Sequence, residues 1–158
     1  MTLFLRYALH AAMLLAVLAS SSLFAHAQEA TNPAAATGTI VVSVSGVTSD
    51  EGEVGCALFD QADAFPMNRE AALRTQGHAA DPAGVTCRFE GVAPGTYAIA
   101  VAHDRNENGE TDTNFLGIPK EDWGVSNGAR PNMRAPRFDE AAFDLAAGQT
   151  LTLAIEVK

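Results

Sequence analysis

The sequence predicts an all-β fold: a single antiparallel β-sandwich, transthyretin-like or immunoglobulin-like, with one short helix and a long ordered loop. Three observations carry this expectation. Short segments alternate apolar and polar residues with period two, as in Ile40, Val42 and Val44 against Val41, Ser43 and Ser45. Turns rich in Gly and Pro separate them, such as Gly91-Val92-Ala93-Pro94-Gly95. Only Asp63 to Thr75 reads as a helix, with Pro66 near its first turn and Gly77 closing it. Many short strands with little helix bury their apolar faces best as two stacked sheets.

The elements follow in order. Residues 1–27 read as a secretory leader: Arg6 precedes the apolar run Ala8 to Leu18, and Ala25-His26-Ala27 supplies a small-x-small cleavage site. With neither a cysteine at that site nor twin arginines, the general secretion route is expected, with the product periplasmic or extracellular. Residues 28–37 read as a flexible arm and 38–158 as the sandwich domain. The strand at 40–45 and the next, Glu53 to Phe59, are expected to form a hairpin across Ser49-Asp50-Glu51-Gly52. Val85 to Phe89, Thr96 to Ala102, Ala141 to Leu145 and Leu151 to Val157 complete the strands. Between them, 104–138 has no strand period but contains Phe115, Ile118, Trp123 and Val125, too apolar for a free linker, so it is read as an ordered, packed loop.

Composition narrows the function classes. The formal net charge of −9 argues against a phosphate-backbone binder, which needs clustered Lys and Arg, and is compatible with cation binding. No segment beyond the leader is apolar enough to span a bilayer. Cys56 and Cys87 are the only cysteines, and each lies on the apolar face of its strand, so an exported chain is expected to join them. Closing a loop of about thirty residues contributes roughly 3.7 kcal/mol through the unfolded state.

The segment His103 to Gly128 holds the strongest chemical signal. Asp104, Asn106 and Asn108 occupy every second position, Gly109 follows, and Asp112 lies three residues on. Short oxygen-bearing side chains around a turning glycine suit a hard cation such as Ca2+. Counted from Asp104, the backbone carbonyl of Glu110 is the seventh ligand position and Asp112 the ninth, but Phe115 falls where a bidentate Glu belongs. Glu121 or Asp122 is the expected replacement, and two amides imply a dissociation constant of roughly 10⁻⁴ to 10⁻³ M. Without a metal, the same residues would form Asx-turns.

The order of these segments is also distinctive: a leader, an alternating strand, a GxVxxALFD-like strand, GVAPGTYAIAV, HDRNENGETDTNFLGIPKEDWGVSNG, then PRFDEAAFDL. In this it resembles the bacterial secreted family called domain of unknown function 2141, across essentially all of the chain beyond the leader. The resemblance implies a small exported β-sandwich and no established activity.

Other chemistries fit less well. Gly124-Val125-Ser126-Asn127-Gly128 matches a nucleophile elbow in letters, yet no histidine follows and Asn127-Gly128 is a strong turn pair. Asp104 and Asp112 as a glycosidase pair lack any sugar platform beyond Trp123. His78 and His103 with the cysteines match no zinc spacing. The expected function is a non-enzymatic, monomeric binding or structural module. Its loop orders a surface that includes Trp123, Arg130, Arg134 and Arg137 and meets a protein or glycan of the cell envelope. The competing class is a hydrolase-type enzyme using His103, Asp104 and Glu121.

Overall fold

The computed structural model describes residues 36–109, 112–115 and 119–158. The expected leader and most of the expected arm lie outside these residues, as do Glu110 and Ile118. Among the described residues there are eight strands: β1 (Gly38–Ser45), β2 (Glu53–Phe59), β3 (Arg74–Ala79), β4 (Val85–Val92), β5 (Gly95–Asp104), β6 (Trp123–Val125), β7 (Phe143–Leu145) and β8 (Thr150–Glu156). They form one sheet of order β4-β1-β8 and a second of order β3-β2-β5-β6, with β7 also paired to β5. The fold is the expected all-β sandwich. Pairing is antiparallel throughout except between β1 and β8, which run parallel.

The interior follows from period-two alternation. Ile40, Val42 and Val44 of β1 and Val85, Cys87 and Phe89 of β4 meet Val54, Cys56 and Leu58 of β2 and Tyr97, Ile99 and Val101 of β5. Cys56 and Cys87 are bonded across this interior at a Cα–Cα distance of 6.5 Å, tying one sheet to the other. Strand β2 is unusual in being apolar on both faces. Its sequence, Val-Gly-Cys-Ala-Leu-Phe after Glu53, is almost continuously apolar, as a strand covered on both sides requires. The outer cover is a second cluster in which Phe59, Phe65 and Phe138 pack edge to face, with ring centroids 5.4 and 6.0 Å apart.

Four expectations are corrected. First, β1 and β2 are not a hairpin. They belong to different sheets, and the connection through Gly46 to Gly52 crosses between them with Val47 buried on the way. Second, the helix expected over Asp63 to Thr75 is absent. Ala64 and Phe65 plug the outer cluster, Asn68 caps a three-residue 3₁₀ turn at Arg69–Ala71, and the chain then extends into β3. The segment has two buried anchors but no apolar stripe of helical period, so nothing would hold a helix there. Third, the α-helix among the described residues is the single turn α1 (Phe138–Ala141), which delays the expected strand at 141 to Phe143. Fourth, β6 arises within the segment read as loop.

Strand β3 (Arg-Thr-Gln-Gly-His-Ala) has no apolar face and is held by pairing and by its side chains. Gln76 Oε1 accepts from the Arg88 N–H at 2.8 Å, its amide donates to the Arg88 carbonyl, and Arg74 donates to the carbonyls of Glu90 and Gly91. These contacts cover backbone groups of β4 that an edge strand would otherwise expose.

Candidate functional site

Strand β5 ends at Asp104 and delivers the Asp/Asn loop to the rim of the second sheet. The loop approaches the β1–β2 connection so closely that a Cβ on Gly52 would collide with the Asp104 carbonyl and the Arg105 backbone. Asp104 Oδ1 accepts from the Asn108 N–H at 3.2 Å, and Oδ2 accepts from the Gly109 N–H at 2.7 Å. Asn106 Oδ1 also accepts from the Asn108 N–H at 3.2 Å. Gly109, at φ +76°, lets the chain reverse here. Asp112 returns to the same place: its oxygens accept from Asn106 Nδ2 at 2.9 Å and Asn108 Nδ2 at 3.2 Å.

Glu121 and Asp122 point to different neighbours. Glu121 joins the loop, its Oε1 accepting from the Arg105 N–H at 3.3 Å and its Oε2 from the Asp112 N–H at 3.2 Å. Asp122 instead accepts from Thr48 at 2.9 Å and from the Arg105 guanidinium at 2.8 Å, bracing the loop against the β1–β2 connection. The structure therefore brings together Asp104, Asn106, Asn108, Asp112 and Glu121, while Glu110 lies outside the described residues. Phe115 is 95 % exposed, which corrects its reading as a packing residue of the loop.

Electrostatics set this cluster apart. Asp104 and Glu121 are 4 % and 8 % exposed, and their hydrogen bonds come from backbone N–H groups. Among the described residues no ion pair involves Asp104, Asp112 or Glu121, because the guanidinium of Arg105 is turned to Asp122 and Thr48. Buried carboxylates without a counter-charge are costly. The three carboxylates are not drawn into one cage: among the described residues no group of three acidic, His or Cys side chains is positioned to hold a metal. The side-chain amides of Asn106 and Asn108 are turned to Asp112. An asparagine amide turned by half a revolution presents Oδ1 where Nδ2 now lies, so the same positions can supply cation ligands.

Of the residues of the competing enzymatic reading, His103 is turned away from Asp104 and Glu121. His103 shares its cross-strand row with the inward-facing Val54 and has no exposed surface, and its Nε2 bonds the Glu51 carbonyl at 2.8 Å. Asp104, the next strand residue, projects to the opposite face. Ser126 is also fully buried. Its hydroxyl accepts from the Ile99 N–H at 3.0 Å and donates to the Ala141 carbonyl. It thereby fills the gap at Ile99 where the partner of β5 changes from β6 to β7. Asn127 and Gly128 both adopt positive φ, as their reading as a turn pair requires.

Trp123 and the arginines occupy the flank of the second sheet. Arg130 stacks over the Trp123 ring at 4.0 Å and donates to the Trp123 carbonyl. Arg134 makes a two-pronged pair with Glu140 at 2.9 and 2.6 Å, and Arg137 lies 3.5 Å from Asp139 and 3.6 Å from Glu140. These two arginines therefore balance the acids of α1, not the acidic loop. The side-chain hydrogen bond from Arg134, followed by the backbone N–H of Arg137, lowers the Glu140 pKa to about 2. The same pairing raises that of Arg134.

A groove of about 470 Å³ lies beside the loop on the outer face of the second sheet. Its lining includes Asp104, Gly109, Pro119, Ala100 and Ala102. Arg69, lying against Gly55 of β2, and Trp123 of β6 stand on either side of β5. Sequence reasoning named Trp123 and missed Arg69. The available signal was the pair of strand glycines, Gly55 and Gly77, whose significance appears only once β2 and β3 are known to align them.

A family model described as an uncharacterized protein conserved in bacteria (DUF2141) matches residues 42–152. No curated protein and no solved structure matches the chain.

Proposed function

The chain belongs to this uncharacterized bacterial family, and from that premise we propose that it is an exported, non-enzymatic binding module whose Asp/Asn loop takes a calcium ion. The observation that carries this reading is the burial of Asp104 and Glu121 beside Asp112 with no pairing cation among the described residues. Asp104, Asn106, Asn108, Asp112 and Glu121 would hold the ion, with Glu121 taking the part that Phe115 cannot. The ion would supply the missing positive charge and fix the loop against β5, so its role is structural. The surface it orders, from the loop to Trp123 and Arg130, is the face offered to a protein or glycan of the cell envelope.

Thermal melting in millimolar calcium against chelator tests the reading. With a dissociation constant near 10⁻⁴ M, linkage stabilises the fold by about 1.4 kcal/mol, a rise of roughly 5 °C for a domain of this size. Asp104→Asn should abolish the calcium-dependent part. Identical midpoints in the two media would overturn the reading.

A further inference from the structure

The groove on the outer face of the second sheet is constructed around one guanidinium. Gly77, Gly55, Ala102 and Trp123 form a single row across the strands, since Gly55 pairs with Gly77 on one side and Ala102 on the other, and Ala102 pairs with Trp123. The two glycines leave the sheet bare at one end of this row. A Cβ on Gly55 would collide with the Arg69 guanidinium, and one on Gly77 with the Glu53 carboxylate. The absent side chains are what allow the Arg69–Glu53 pair to lie flat on the sheet. Yet this pair is loose: one contact of 3.4 Å, with the Arg69 side chain 32 % exposed. A guanidinium carries five N–H donors, and the Arg69 guanidinium uses only one of them among the described residues.

Trp123 stands at the other end of the row. Arg130 stacks on its ring, and Trp123 but not Arg130 is among the residues lining the groove. Two strand spacings separate Gly55 from Trp123, roughly 10 Å between Cα atoms. A cation thus faces an aromatic ring across a floor of alanine methyls.

We propose that this groove binds a small cyclic monocarboxylate, its carboxylate on Arg69 and its ring against Trp123 above Ala100 and Ala102. A carboxylate accepts two N–H groups from a guanidinium in parallel, and a six-membered ring, aromatic or pyranose, is of a size to lie between the walls. The volume lies within the range of small-molecule sites. Asp104 and Glu70 also line the groove and repel a second negative charge, which selects a monoanion. The inference does not depend on an ion in the loop.

Trp123 is the only tryptophan in the chain, so tryptophan fluorescence comes from a residue that lines this groove. Benzoate and glucuronate are titrated at constant ionic strength, by fluorescence and calorimetry, in chelator and again in millimolar calcium. At least one acid should bind saturably, and its neutral counterpart, benzyl alcohol or glucose, at least tenfold more weakly. Arg69→Gln should weaken the acid at least tenfold without moving the melting midpoint. Should that variant not fold, Ala102→Leu, which fills the slot from its floor, should abolish the signal. No saturable binding of either acid in both media, equal binding of the neutral compound, or unchanged binding in the variant overturns the proposal. Calcium is titrated separately, so failure of the groove and failure of the loop are read independently.

Discussion

The two faces of the sheet β3-β2-β5-β6 are made by alternate residues of the same strands and serve opposite ends. On the inner face β2 and β5 present Val54, Cys56 and Leu58, and Tyr97, Ile99 and Val101, all buried and crossed by the disulfide. On the outer face the same strands present Phe59, Ala57 and Gly55, and Ala98, Ala100, Ala102 and Asp104. Side chains on that face shrink along β2 from Phe59 to Gly55, and along β5 alanines give way to a carboxylate. At the Phe59 end the face is sealed by Phe65, Phe138 and Ala141. At the other end it opens into the groove and the Asp/Asn loop. The inner side of this sheet is thus packed throughout, whereas its outer side passes from a packed end to an open groove as its side chains shrink.

The sharpest way to break this division is to damage the inner face. Phe89→Ala, at 1 % exposure in the interior, should cost about 3–5 kcal/mol, read by chemical denaturation. It should leave the Trp123 emission of the folded fraction unchanged. A loss below about 1 kcal/mol would mean that the interior does not carry the fold.

Ser126 tests the gap where β5 changes partner from β6 to β7. Ser126→Ala leaves the buried Ile99 N–H without its acceptor, and should cost about 1–3 kcal/mol by denaturation. A stability within about 0.5 kcal/mol of the parent would show that the hydroxyl is dispensable.

The smallest effect is expected at the exposed α1 brace. The Glu140 carboxyl is held at about 2 by Arg134 and Arg137, below its ordinary 4.5. A lowered folded-state value gives a contribution complete above pH 4.5 and lost as pH falls through about 2. Glu140→Gln should therefore lower the melting midpoint slightly at pH 6, with the gap to the parent closing toward pH 2. A gap that persists unchanged at pH 2 would contradict the ion-pair origin.

The same division explains what the sequence could disclose. Period-two alternation exposed β1, β4, β5 and β8, because each has one face committed to the interior. The polar strand β3 carried no such mark: its place is set by β2 pairing and by side-chain caps on β4, neither of which is a local property. The supposed helix at Asp63 to Thr75 rested on Pro66 and Gly77 as boundary residues. Its two buried residues, Ala64 and Phe65, are adjacent, and adjacent anchors suit a plug better than a helical stripe. In the loop, the spacing of Asp104 to Asp112 was legible because one turn gathers it. Glu121 could be named only as one of two neighbours, since the choice between it and Asp122 depends on where Thr48 and Arg105 stand. Arg69 was invisible because its bed requires the pairing of Gly55 with Gly77.

A calorimetric titration of the chain with calcium probes the Asp/Asn loop itself. One site is expected, with a dissociation constant of roughly 10⁻⁴ to 10⁻³ M, lost in Asp104→Asn and Glu121→Gln and retained in Asp122→Asn. Absence of binding heat at several temperatures, or binding that survives both Asp104→Asn and Glu121→Gln, would contradict it.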